Sequence, residues 1–232
     1  HACFSDAPLL GSLLNPSRSL KNDLTTSSYE TLTALLRRAL ATERTANLPN
    51  EESDRWELAL SAQGLLEAAR LLDARYHLVI TNVPYLSRAN QSDALRDFSE
   101  THYDKAKHDL ANVFLERCLE LSLAGGHGTA QVVMPQNWLF LSRYQKQREA
   151  LLRETSWQLL AWLNEGAFDS PQAAGAFVIL FTASSGKPLS GKSIPTIDLS
   201  ITKTPTEKST GLRTASLLLL DQLGQLKNPD AR

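Results

Sequence analysis

Short apolar runs of strand length alternate along this chain with stretches of helical spacing, and few folds accommodate that order. "YHLVIT" (76–81), "GTAQVVMP" (128–135) and "GAFVILFTAS" (175–184) are such runs. The first is continuous enough to predict a strand covered on both faces. Between them lie amphipathic stretches. "SYETLTALLRRALATE" (28–43) sets Leu32, Leu35, Leu36 and Ala39 at helical spacing. "RWELALSAQGLLEAARLLDAR" (55–75) does the same with Leu58, Ala62, Leu65, Leu66, Ala69 and Leu72. "DLANVFLERCLELSLAG" (109–125) predicts a helix with Leu110, Val113, Phe114, Cys118 and Leu121 on one face, stopped by Gly125 and Gly126. "QKQREALLRETS" reads as helix and "WQLLAWLNEG" as a strand or sheet edge. Strands and helices in this alternation form layers, so the expected class is α/β with a mostly parallel sheet.

Three segments break the pattern. "SDAPLLGSLLNPS" (5–17) has turn signals around short apolar runs and reads as a short strand or loop. Residues 86–107 are long and polar without a clean period, which predicts a functional loop or lid. After Ser184 the chain turns rich in Ser, Thr, Lys and Pro, as in a linker or an edge strand with its connection, before a last helix over 211–225. The expected division is therefore a layered α/β region, 1–186, and a linker with helix, 187–232.

Composition narrows the function classes. At 232 residues, 42% hydrophobic and 21% charged, the chain is globular. Its net charge of −1 excludes an extended nucleic-acid grip by this chain alone, though not a few local phosphate contacts. Two distant cysteines, Cys3 and Cys118, make neither a disulfide framework nor a zinc site. No apolar run of about 18 residues suggests a membrane span. No signal peptide is visible, so a cytoplasmic, reducing setting is expected. The chain opens at His1, in mid-pattern, and reads as a piece of a longer protein.

The strand 76–81 runs into "NVPY". A residue before proline is held extended, and proline fixes the turn that follows. The tip thus presents the Asn82 side-chain oxygen, the Val83 carbonyl and the Tyr85 ring on a stiff backbone. In open α/β sheets ligands bind at the carboxyl ends of strands. Two acceptors beside an aromatic face suit a planar ring with an exocyclic amine. The same four residues are also ordinary turn chemistry with a tyrosine covering the core.

More of the chain points one way. "NVPY" resembles the (Asp/Asn)-Pro-Pro-(Tyr/Phe) motif of amino-group methyltransferases that use S-adenosylmethionine. "DLANVFLERCLEL", "GGHGTAQVVMPQNWLFLSRYQKQREALL" and "LNEGAFDSPQAAGAFVILF", in that order, resemble the downstream half of large adenine-N6 DNA methyltransferases. The likeness is to the single-chain restriction-modification enzymes and to the methyltransferase of BREX phage-defence systems. "DAPLLGSLL" and the terminal "NPDAR" resemble the same group. The resemblance implies part of a Rossmann-like methyltransferase fold, S-adenosylmethionine as cofactor, double-stranded DNA as partner, and partner subunits of a defence system. It implies that Asn82 and the Val83 carbonyl hold the adenine amine, with Pro84 keeping the geometry, and that Tyr85 stacks on a flipped base. Phe168, in "GAFDSP", matches a second aromatic against that base. Asp109 lies where the family shapes the cofactor pocket, although an N-cap explains it equally well, and Ser12 lies where the family approaches the cofactor's adenine. Pro135, Gln136 and Asn137 end the next strand and either line the site or form a turn.

Two departures matter. Val83 stands where the motif has proline, but the group required there is a backbone carbonyl. No glycine-rich turn for the cofactor precedes the motif within these residues, which predicts weak cofactor binding and little turnover by this chain alone. Two other readings remain open: a methyltransferase of protein glutamine or RNA, and a non-catalytic DNA-binding scaffold. The histidines have no metal-ligand spacing, and Trp138 and Phe140 read as core.

Overall fold

The computed structural model describes residues 7–16, 18, 51–170, 173 and 175–231, without the side chains of 51–60 and 62. It forms two compact units, His1–Ala74 and Arg75–Arg232. In the first, helix α1 (Ala7–Leu10) runs into a 3-10 turn (Gly11–Leu13), where the sequence predicts a strand or loop. Helix α2 (Glu51–Asp73) is the one expected over 55–75. The helix expected over 28–43 lies outside the described residues.

The second unit runs β1 (Leu78–Asn82), α3 (Asp93–His102), α4 (Leu110–Leu121), β2 (Thr129–Pro135), α5 (Gln145–Glu154), β3 (Thr155–Asn164), β4 (Val178–Ser185), β5 (Ser193–Asp198), α6 (Pro205–Thr214) and β6 (Leu218–Asp221). The described strands make one six-stranded sheet in the order β1-β2-β4-β3-β5-β6. Pairs β1/β2 and β3/β5 are parallel, while β4 is antiparallel to both its neighbours and β6 to β5. So β1, β2, β3 and β5 share one direction, as the α/β expectation requires, and β4 and β6 oppose it. The reason for β4 is local: the described residues of the connection from β3 carry no helix, and a return without a crossover makes an antiparallel neighbour.

Three expectations change. β1 is an edge strand rather than one covered on both faces. Val79 packs into the core, but Leu78 is 55% and Ile80 66% exposed, because no described strand or helix of this unit covers that side. Residues 86–107 hold a helix, α3, capped by the Ser92 hydroxyl, which accepts from the Leu95 amide. Its few apolar groups, Leu95 and Phe98 among them, hid the period; the Ser92-Asp93 start was the readable signal. Of the two readings of the stretch after Ser184, the edge strand is the one present: β5 and β6 join the same sheet with α6 between them, and the helix expected over 211–225 is instead the end of α6 followed by β6.

The core lies on both faces of β2, β4 and β3. One face packs Val132, Met134, Phe181 and Leu160 against Ala111, Leu115 and Cys118 of α4 and Leu151 and Leu152 of α5. Trp138, Trp157 and Phe181 meet there at ring-centre distances of 5.7, 5.4 and 4.7 Å. The other face packs Ala161, Leu163 and Val178 against Ile197, Leu199 and Leu212. The turn into β2 needs glycine at 128, since a Cβ there would meet the Leu123 amide nitrogen at 2.2 Å and the Tyr76 carbonyl at 2.7 Å.

Buried polar groups lock the helices to this core. The Arg148 guanidinium, 1% exposed, donates to the carbonyls of Trp138, Leu141 and Asp230. It therefore joins α5, the segment after β2 and the terminal "NPDA". Gln222 accepts from the Trp157 amide and donates to the Leu152 and Thr155 carbonyls. Between α4 and α5, the Asn112 amide donates to Gln147 (2.7 Å) and Gln147 donates to Glu116 (3.2 Å).

Burial pushes the Glu116 carboxyl up to about 7 from its ordinary 4.5, against the Gln147 bond that lowers it. Folding thus favours its protonated form, so its contribution is greatest below pH 4.5 and is lost as pH rises through 7. Glu116→Gln keeps an acceptor for Gln147. It should stabilise the protein above pH 7 by up to about 3 kcal/mol and give no gain at pH 4, read by urea unfolding across that range.

Candidate functional site

The carboxyl ends of β1, β2, β3 and β5 share one edge of the sheet. The tip that ends β1 is shaped by its ladder with β2. Asn82 pairs with Val133, and the Val83 amide donates to the Val133 carbonyl at 3.4 Å. In a parallel ladder, the next donor toward β1 lies two residues along β2, at Pro135. Proline has no N–H, so the ladder supplies no donor to the Val83 carbonyl. The paired register ends at Asn82 and Val133. The Val83 side chain is 3% exposed, which fixes the peptide from its inner side.

The other acceptor is held by its neighbour. The Tyr85 hydroxyl donates to Asn82 Oδ1 at 3.2 Å. An amide oxygen has two lone pairs, so one remains for a ligand. Burial pushes the Tyr85 phenol up to about 12, which keeps it a donor at neutral pH. Its ring is 37% exposed and offers a face for stacking.

The residue after Tyr85 is anchored three times. The Leu86 amide donates to Asp109 Oδ1 (3.4 Å), and its carbonyl accepts from the Leu110 amide (2.9 Å) and Gln91 Nε2 (3.0 Å). Asp109 Oδ1 also accepts from the Ala111 amide at 2.9 Å, as the N-cap of α4. Of the two sequence readings of Asp109, the cap is the one with bonds, and it reaches back to the tip. Burial raises its carboxyl above the usual range, against those two amides and the charge of Arg143.

Phe168 is half-buried and packs with Val133 against the second core cluster, which sets it at the same edge as the tip. Its loop is tied down at Gly166, where φ is 74° and a Cβ would lie 2.3 Å from the Lys203 carbonyl. Lys208, 2% exposed, donates to the Leu163, Leu199 and Thr202 carbonyls beneath that loop. Gln136 follows β2 directly and is 9% exposed; its Nε2 donates to Asn164 Oδ1 at 3.3 Å. Asn164 ends β3 with φ 60°, a left-handed conformation that asparagine tolerates. Sequence reasoning overlooked Asn164, and an asparagine closing a strand two residues before a glycine was the available signal. Asn137 is exposed, Trp138 is core as expected, and Phe140 is partly buried. Ser12 lies exposed in the 3-10 turn of the first unit. Among the described residues no group of His, Cys, Asp and Glu could hold a metal ion. No described helix is long and apolar enough to cross a membrane.

The arrangement is one of acceptors: two oxygens, with no cationic side chain in the tip, beside an aromatic face. Such a set receives a group that donates two hydrogen bonds from one nitrogen.

The chain matches known proteins over a stretch that contains these residues. The family described as Eco57I restriction-modification methylase matches residues 11–168, which include the tip, Asp109 and Phe168. The chain belongs to that family. It is 26% identical over 168 residues to the adenine-specific methyltransferase PglX of Lacticaseibacillus casei (strain Zhang), covering 72% of this chain and 13% of that protein. It is 32% identical over 103 residues to the adenine-specific methyltransferase BrxX of Escherichia coli O9:H4 (strain HS), covering 44% of this chain and 8% of that protein. The chain therefore spans only a small part of the curated relatives' length. Among solved structures, the DrdV–DNA complex matches with a TM-score of 0.49 at 14% identity, over 68% of this chain and 18% of that one.

Removing the Asp109 carboxylate loosens the tip. Asp109→Ala should cost about 1 kcal/mol in chemical unfolding and speed hydrogen exchange at the Leu86 amide, whereas Asp109→Asn, an equally good cap, should keep both near wild type.

Proposed function

We propose that this chain carries the base-holding part of a DNA adenine-N6 methyltransferase of a restriction-modification or phage-defence system. The observation that carries the reading is the pair of acceptors at the tip: the Val83 carbonyl, left without a ladder donor by Pro135, and the open lone pair of Asn82 Oδ1. Both N–H bonds of an adenine amine fit this pair. Holding them turns the nitrogen toward a tetrahedral shape and localises its lone pair. Tyr85 stacks on the flipped base, and Phe168 is the second aromatic of the same pocket. The catalytic contribution is positioning plus charge stabilisation, supplied by a preorganised tip.

S-adenosylmethionine, when bound, supplies an electrophilic methyl group beside the tip. The donor set suits it, since oxygens and an exposed aromatic face attract a sulfonium cation. The amine nitrogen held by the tip would gain the methyl as the sulfonium's C–S bond breaks and a neutral thioether leaves, and would lose one proton to solvent. Asn82 and the Val83 carbonyl stabilise the positive charge that gathers on the nitrogen, and they do so from bonds already aimed at it. The DNA duplex and the subunits of a defence system are the partners of this reading.

The full-length protein that carries this chain should place N6-methyladenine in plasmid DNA supplied with S-adenosylmethionine, as counted by mass spectrometry. Asn82→Ala should lower the rate by about 100-fold or more with its fold intact. An Asn82→Ala protein that methylates adenine at the wild-type rate, or a wild-type protein that methylates only RNA or protein glutamine, overturns the reading.

A further inference from the structure

The C-terminal flank of the tip carries a concentration of cations. Residues 86–88 are laced to residues 108–110: the Arg88 amide donates to the His108 carbonyl at 3.0 Å, and Ser87 bridges Asp109. Around His108 stand Arg143, Lys107 and Arg88; burial chiefly, and then these charges, hold its imidazole below the ordinary range. Two of the three are neutralised nearby. Arg88 pairs with Glu100 at 2.8 Å, and Lys107 pairs with Glu100 at 2.8 Å and Asp104 at 2.7 Å.

Arg143 differs. It is exposed, and among the described residues no carboxylate lies within ion-pair distance of it. The nearest acid on the tip side, Asp109, feels its charge but spends its Oδ1 on the Leu86 and Ala111 amides. The Arg143 guanidinium instead sits over the Tyr144 ring, 5.2 Å from its centre. Tyr144 is 2% exposed and meets His108 edge-on at 5.7 Å.

The turn that presents Arg143 is also fixed. It is the 3-10 segment Ser142–Tyr144, closed by the Tyr144 amide donating to the Leu141 carbonyl at 3.1 Å. Buried Arg148 holds that same carbonyl from within, and the Ser142 hydroxyl donates to Asp230 at 2.9 Å. An exposed guanidinium without a carboxylate partner is thus seated on a buried aromatic and linked through His108 and Asp109 to the residue after Tyr85.

We propose that Arg143 is a phosphate anchor: its planar fork binds a backbone phosphate of the strand whose base the tip receives. The guanidinium matches a phosphate's two oxygens in a way a lysine cannot, and the cation–π seat on Tyr144 holds it ready. Such a bond fixes the register of the strand and carries no base sequence information. One local contact of this kind is compatible with the net charge of −1. The inference rests on the DNA-methyltransferase reading and adds the means by which that site holds its substrate's backbone.

The test uses the full-length protein and a fluorescent duplex cut from plasmid DNA. Binding is titrated between 50 and 200 mM salt, roughly the range over which phosphate contacts are read. Arg143→Ala should weaken binding several-fold on any duplex and reduce the slope of log K against log salt by about 0.9. Its loss of methylation should fall on KM for DNA rather than on kcat. Arg143→Lys should recover the slope while binding more weakly than wild type. Asn82→Ala should keep the full slope and lose methylation. An Arg143→Ala protein with the wild-type slope, from an enzyme that methylates DNA normally, overturns the anchor alone. A wild-type protein that neither binds nor methylates DNA overturns the functional reading beneath it. Arg143→Gln, which keeps bulk and polarity, repeats the slope measurement should the alanine protein unfold.

Discussion

The parallel ladder between β1 and β2 is the interaction on which the candidate site depends, and what matters is where it stops. Pro135 stands where the next donor of the ladder would be, so the Val83 carbonyl is left without a ladder donor and the paired register ends at Asn82 and Val133. A free carbonyl at a strand end is ordinarily taken by water. Here it belongs to a buried valine, so the peptide is fixed from the core side. The chemistry of the tip is thus a by-product of hydrogen-bond bookkeeping in the sheet.

The surroundings keep that edge rigid. Leu86, directly after the tip, is bonded from Asp109, Leu110 and Gln91. The segment after β2 is clamped by Arg148, which binds three carbonyls in two separate stretches of chain. The loop toward Phe168 lies flat on the Lys203 carbonyl and above buried Lys208. Each device satisfies backbone groups that would be costly to bury unpaired. The result is that the acceptors, the two aromatics and the Arg143 turn are all fixed by the same core.

Much of this was legible from residues alone. The β2 and β4 runs, the face of α4 and the extended "NVPY" tip follow from period, branching and proline geometry, which act over a few residues. Other features were not. α3 is polar and short, so its period was hidden, although its Ser92 cap was visible. The β5–α6–β6 stretch is rich in Ser, Thr and Lys, and it reads as a connection until β3 supplies the edge that pairs it. The exposure of Leu78 and Ile80 cannot be read from "YHLVIT", because a strand's apolarity does not say which of its faces a helix will cover.

The sequence by itself determined the layered α/β class, the stiff tip and the identity of its acceptors, because each rests on local covalent and steric rules. Only the tertiary structure decided that Pro135 frees the Val83 carbonyl, that Asp109 reaches Leu86, and that Arg143 stands without a carboxylate beside the tip. Those depend on register between strands and on which side chains meet across the core, and residues distant in the chain are joined only when the sheet closes.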